Sequence, residues 1–161
     1  MTSESPSGPA ALILGAAPRI SVPIARALNQ HGIRVDVASF QSEEAHLSSR
    51  AIRHFHRLPP RGEDQTFSQA LLGLVGERGY DTIVATGDPS LAALADFYHE
   101  LQPLVRVGCP SPSAVRRVLD KALTLDIAEK CGIPIPFTCM EELGYELTTR
   151  KGKLDRNTVL A

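Results

Sequence analysis

Asp120 and Lys121 stand where one apolar helical stripe ends and another, out of phase with it, begins. Asp120 is suited to cap a helix start, which puts Lys121 in the first turn, where the helix dipole disfavours a long cation unless an anion lies nearby. A phosphate would supply that anion through charge-assisted hydrogen bonds, and the alternative is an exposed lysine at a kink. Gly15 opens the turn Gly-Ala-Ala-Pro-Arg-Ile after an apolar run, and a glycine there lets backbone N–H groups approach an anion at a helix N-terminus. Ser49 and Arg50 begin a basic stretch that includes Arg53, His54, His56, Arg57 and Arg61. Its arginines can grip a phosphate or carboxylate bidentately, or the stretch is a solvated loop. Thr86 and Asp88 follow another apolar run; Asp88 can accept from a substrate hydroxyl or amine, and its position before Pro89 also suits an N-cap. His54 and His56 are two residues apart without an acidic neighbour in sequence, so no metal site is expected, and no residue is assigned a catalytic role.

The elements that must position these groups read as strands alternating with helices. Residues 10–15 and 34–40 are strand candidates, with a helix between them whose apolar face is Ile20, Ile24, Ala27 and Leu28 and whose C-cap glycine is Gly32. Phe67, Ala70, Leu71, Leu74 and Val75 mark a second helix, with Asp64 as its N-cap and Gly79 as its stop. A third strand follows at 81–86, and Asp88-Pro89 then starts a helix with the face Leu91, Leu94, Ala95, Tyr98 and Leu101. Residues 104–107 are a fourth, shorter strand candidate. Ser111-Pro112 repeats the cap-and-proline device, and the stripe Val115, Val118, Leu119 and Ala122 gives way to Ile127, Ala128 and Cys131. One straight helix cannot bury both stripes on one side, which places a break at Asp120-Lys121. The pattern predicts an α/β fold with a doubly wound, mainly parallel Rossmann-like sheet over 10–110, a leader at 1–9, and linker helices with a strand extension over 111–161.

Composition narrows the function classes. A chain of 161 residues that is 43% hydrophobic supports one sizeable core but no second complete domain. A formal net charge of -1 gives no general attraction to nucleic acid or to an anionic membrane. The apolar run at 10–17 is too short to span a bilayer. Three cysteines, none in a C-x-x-C pair, fit neither a disulfide framework nor a zinc site and favour a reduced, cytoplasmic setting. The turn after the first strand is not a dinucleotide fingerprint, because Ala17 and Ile20 replace the second and third glycines and the second strand ends in Ser39-Phe40 without an acid for ribose.

The order of these features resembles the N-terminal, pre-ATP-grasp domain of ATP-grasp ligases such as the carbamoyl-phosphate-synthase-like carboxylate–amine ligases. The resemblance covers about residues 10–145. It is carried by Leu12-Ile-Leu-Gly-Ala16, Ala25-Arg-Ala-Leu28 with Gly32, Ser49-Arg50, the strand 81–86, and the run from Asp120-Lys121 through Gly132-Ile-Pro-x-Pro136 to Thr138. It implies ATP-dependent acyl-phosphate chemistry on a small carboxylate or amine substrate, with ATP and magnesium as cofactors. Lys121 would touch the ATP phosphates, and Gly15, Ser49, Arg50, Thr86 and Asp88 would border the substrate cleft. The family continues into a Lys-Pro strand, a Gly-rich lid and an acidic metal-binding set. Residues 144–153 look like a degraded form of that strand, with Glu146 in place of its proline and Arg150 where its lysine is expected. The expectation is therefore a truncated start of the ATP-grasp fold, not catalytic and not binding ATP or magnesium tightly on its own. A separately encoded ATP-grasp half would be its partner, seated on the apolar run Ile133, Ile135, Phe137 and Met140. The alternative is a stand-alone Rossmann-like module that binds a small anion or a protein.

Overall fold

The computed structural model describes residues 8–41, 47–62 and 64–135, together with the backbone of 148–149 and 152–153. The chain divides into two compact units, Met1–Arg116 and Arg117–Ala161. In the first, five parallel strands lie in the order β3-β2-β1-β4-β5, with β1 at Ala10–Leu14, β2 at Arg34–Ser39, β3 at Phe55–Arg57, β4 at Thr82–Ala85 and β5 at Arg106–Gly108. All five residues of β1 are buried, as a central strand with both faces covered requires.

Helices cover both faces. Leu12, Leu14, Ala38 and Ile83 share one cluster with Phe67, Leu71 and Val75 of α2 (Thr66–Arg78), Leu94 of α3 (Asp88–Asp96) and Leu101 of α4 (Tyr98–Leu101). Ile13, Val35 and Val37 pack on the opposite face with Ala25, Ile24 and Leu28 of α1 (Pro18–Gln30). The expected doubly wound α/β sheet is therefore present. The face of α1, however, is rotated from the sequence reading: Ser21 and Ala25 are buried, Ile24 and Leu28 half-buried, Ala27 exposed and Ile20 45% exposed. Small side chains at 21 and 25 let the helix approach the sheet closely, and hydrophobicity alone points to the neighbouring stripe.

Turn chemistry accounts for most element ends. Gly32 and Gly79 adopt positive φ after α1 and α2, and each N–H bonds back to a helix carbonyl, at Asn29 and Val75. Two expected caps are absent. Asp64 accepts from the Thr66 hydroxyl at 2.9 Å instead of capping α2, whose N-cap is Gln65. Asp88 is the first residue of α3, behind the extended Gly87, and its negative charge suits that first turn. The single helix expected through Leu101 breaks at Phe97, and β5 starts two residues later than the reading at 104–107. The basic stretch is not all loop, since Phe55–Arg57 pairs with Val37–Ser39 as β3.

Helix α5 spans Pro112–Leu119 and buries only Val115. The inferred break is where expected: Asp120 is extended and its Oδ1 accepts from the Leu123 N–H at 3.0 Å, starting α6 at Lys121–Lys130. Beyond it, β6 (Thr148–Thr149) and β7 (Gly152–Lys153) form an antiparallel pair. Phe137, Thr138, Met140, Glu146 and Arg150 lie outside the described residues, as does the leader up to residue 7. Among the described residues no helix is long and apolar enough to cross a membrane.

Candidate functional site

The sheet order reverses between β1 and β4, and the crevice expected at the carboxyl ends of two such strands is the position where open α/β sheets take ligands. Gly15 lies there with φ +108, its N–H bonded to the Ala38 carbonyl at 2.8 Å and its carbonyl accepting from the Ser21 hydroxyl at 3.0 Å. A Cβ at this position would run into Thr86 Oγ1 and would stand 2.8 Å from Ser90 Oγ. Only glycine has both the backbone conformation and the absent side chain that bring two hydroxyls this close to the β1 turn. Thr86 Oγ1 donates to the Leu14 carbonyl at 3.2 Å, which ties the two loops together. Ser90, in the first turn of α3, is 1% exposed. The exposed carboxylate of Asp88 lies two residues before it, with no side-chain partner among the described residues. The strand ends thus offer the Thr86 hydroxyl oxygen as an acceptor, the start of α3 and one carboxylate to a polar ligand.

Of the residues singled out in the sequence, the fold brings Gly15 and Thr86 into contact and sets Asp88 beside them. Ser49 and Arg50 lie elsewhere. They line an open groove of about 700 Å3 with Val22, Arg26, Asn29 and Gln30 of α1. Asn29 Nδ2 fixes this segment by donating to the Ala51 carbonyl at 2.8 Å, which anchors it to the end of α1 at the amino edge of the sheet. Lys121, in the second unit, is exposed and has no ion pair among the described residues. Its neighbour Thr124 closes the break by donating to the Arg117 carbonyl at 2.7 Å.

A second polar group was not visible in the sequence. Asp36, in the middle of β2, accepts from the Tyr80 hydroxyl at 2.7 Å and from the His54 backbone N–H at 3.2 Å. His54 Nδ1 lies 3.3 Å and His56 Nε2 3.4 Å from its carboxylate oxygens. The histidines therefore do have an acidic partner, brought to them by the β2–β3 pairing. Burial raises the Asp36 pKa, but the bonds from His56 and Tyr80 and the charge and bond of His54 outweigh it, lowering the value from 3.8 to about 2. Burial, and then the bond and charge of Asp36, hold the Tyr80 hydroxyl well above its ordinary range, so it stays a donor. Among the described residues no group of three or more His, Cys, Asp or Glu has the arrangement to hold a metal ion.

No protein-family model matches the chain, and no curated protein sequence matches it. Solved structures do. The biotin carboxylase domain of a single-chain bacterial carboxylase superposes with a TM-score of 0.60 at 22% identity, over 83% of this chain and 31% of that one. The L-amino acid ligase of Bacillus licheniformis gives 0.66 at 16% identity, over 94% and 40%. The N5-carboxyaminoimidazole synthetase of Staphylococcus aureus, solved with ADP, gives 0.59 at 15% identity, over 84% and 33%. All three are ATP-grasp enzymes. The chain has the pre-ATP-grasp fold. It spans between 31% and 40% of the length of these three relatives in structure. At such identities the shared property is the fold.

Proposed function

We propose that this chain is the N-terminal, substrate-side domain of an ATP-grasp carboxylate–amine ligase. The supporting observation is the crevice at the switch point, where Gly15 leaves room for Thr86 and Ser90 in a sheet of pre-ATP-grasp order. In this reading residues 10–110 border the site of a small carboxylate or amine, and 111–161 lead into the ATP-grasp part. Gly15, Thr86 and Asp88 line the substrate, and Ser49 and Arg50 stand in the separate groove beside α1. Lys121 reaches the phosphates of ATP, an assignment that fits its exposed place in the first turn of α6. ATP, when bound, supplies the phosphoryl group that activates a carboxylate. Magnesium would be held by the ATP-grasp part. The thiols of Cys109 and Cys131 are free, and burial pushes the Cys109 thiol up, which keeps it protonated and unreactive.

The test is ADP release with magnesium and mixed carboxylates and amines, for the chain alone and together with a candidate ATP-grasp half. Turnover is expected only in the joined or reconstituted enzyme, with nucleotide affinity about tenfold weaker in Lys121→Ala, as the loss of one charge-assisted contact predicts. Turnover by the chain alone would refute the reading, as would a reconstituted enzyme indifferent to both Lys121→Ala and Thr86→Ala.

A further inference from the structure

Three arginines from separate parts of the chain meet at the amino edge of the sheet, away from the crevice. Arg34 opens β2, Arg53 stands two residues ahead of β3, and Arg78 ends α2. Together with Asp36, His54 and Tyr80 they line one cavity of about 70 Å3. That is more than twice the ~30 Å3 a water molecule occupies in the liquid, enough room for a compact anion.

The one acid in this cavity is already engaged. Asp36 takes the Tyr80 hydroxyl at 2.7 Å and the His54 N–H at 3.2 Å, with both histidine rings against its oxygens. Three arginines therefore share the cavity with a single carboxylate whose partners are already in place. Neither Arg53 nor Arg78 makes a side-chain hydrogen bond or ion pair among the described residues. Arg34 donates one Nη to the Gly8 carbonyl at 2.8 Å, and its Nε is buried without a partner among the described residues. A buried N–H lacking an acceptor is rare in folded proteins, and it leaves the Arg34 guanidinium under-satisfied. The dipole of α2 explains why a cation ends that helix, but not why two further arginines from β2 and the β3 lead-in share its cavity.

We propose that this cavity is a binding site for a small oxyanion of the phosphate class, held by the guanidiniums of Arg34, Arg53 and Arg78. Guanidinium groups present paired N–H donors that match the edges of a tetrahedral oxyanion, and the excess positive charge favours a dianion over a carboxylate. Bound there, the anion joins the start of β2, the lead-in to β3 and the end of α2. The site is independent of the proposed ligase role, since it lies at the opposite edge of the sheet from Gly15 and Thr86.

The experiment is an amide and arginine side-chain NMR titration of the full chain with inorganic phosphate at constant ionic strength. Saturable shifts are expected at Arg34, Arg53, Arg78 and Ala10, with Gly15 and Thr86 unmoved. Arg53→Ala and Arg78→Ala, both exposed positions whose loss leaves the core intact, should each weaken the dissociation constant about tenfold. Methyl phosphate serves as a second probe. Equal saturation by both identifies the end of a phosphomonoester, and saturation by phosphate alone identifies the free anion; either result supports the site. Shifts that do not saturate, shifts confined to Gly15 and Thr86, or unchanged affinity in the Arg53→Ala, Arg78→Ala double variant would overturn it.

Discussion

The crevice beside Gly15 and the polar group around Asp36 belong to the same sheet yet are made in opposite ways. At the crevice the sequence removes a side chain, so that two hydroxyls can close on the β1 turn with few bonds fixing them. Around Asp36 it adds side chains, and one buried carboxylate gathers partners from β3 and from the α2–β4 loop. Space is what the first region depends on. Satisfied polarity is what the second depends on, because a buried carboxylate is tolerated only when its oxygens are bonded. A polar feature that spends its bonds internally serves the fold, whereas one that leaves a carboxylate unengaged at the start of a helix is open to a ligand.

Substitution at Gly15 should have the largest effect. Gly15→Val forces a branched side chain into φ +108 and into Thr86 and Ser90, at a cost of about 4 kcal/mol from strain and overpacking together. Chemical unfolding measures it, and a cost under about 1 kcal/mol would mean that the crevice yields easily. Next is acid. Because the folded-state pKa of Asp36 is lowered from 3.8 to about 2, its ionised form stabilises the fold above the unfolded value. That contribution, about 2 kcal/mol, is lost as pH falls from 3.8 towards 2. Stability measured across this range in the wild type and Asp36→Asn should differ in slope; parallel curves would remove Asp36 as the cause.

Tyr80→Phe deletes one of the bonds to Asp36 and is expected to cost about 1 kcal/mol while moving the acid limb to higher pH. A change in stability with no movement of that limb would show that Tyr80 acts through packing alone. The smallest effect belongs to Lys121→Ala, which should alter stability by less than about 0.5 kcal/mol, since the lysine is exposed and has no ion pair among the described residues. Differential scanning calorimetry reads this directly, and a larger loss would make Lys121 a structural residue.

How much of this was legible in the sequence follows from the same contrast. The apolar runs of β1, β2 and β4 announced the parallel core, and glycines at 32 and 79 marked helix ends, because these signals are local. Gly15 stood out for the same reason. Strand β3 did not, since Phe-His-Arg carries no apolar run and is only half-buried at the sheet edge. The partners of Asp36 are separated from it by 18, 20 and 44 residues, so no spacing rule joins them. Ser90 carries no local signal; its burial depends on a glycine 75 positions earlier that has no side chain. The misplaced caps at Asp64 and Asp88 have a simpler cause. An aspartate ahead of a helix satisfies the same preference one or two positions either way.

The register of the central strand has a consequence during synthesis. Ala11 pairs with Thr82, so the most apolar segment of the chain must wait for a neighbour made 71 residues later. At about 5–20 residues per second, that leaves one flank of β1 uncovered for roughly 4 to 14 s on the ribosome, even after β2 has emerged. A nascent chain stalled before Thr82 should therefore bind hydrophobic-segment chaperones through residues 10–14. One extended past Gly108 should release them.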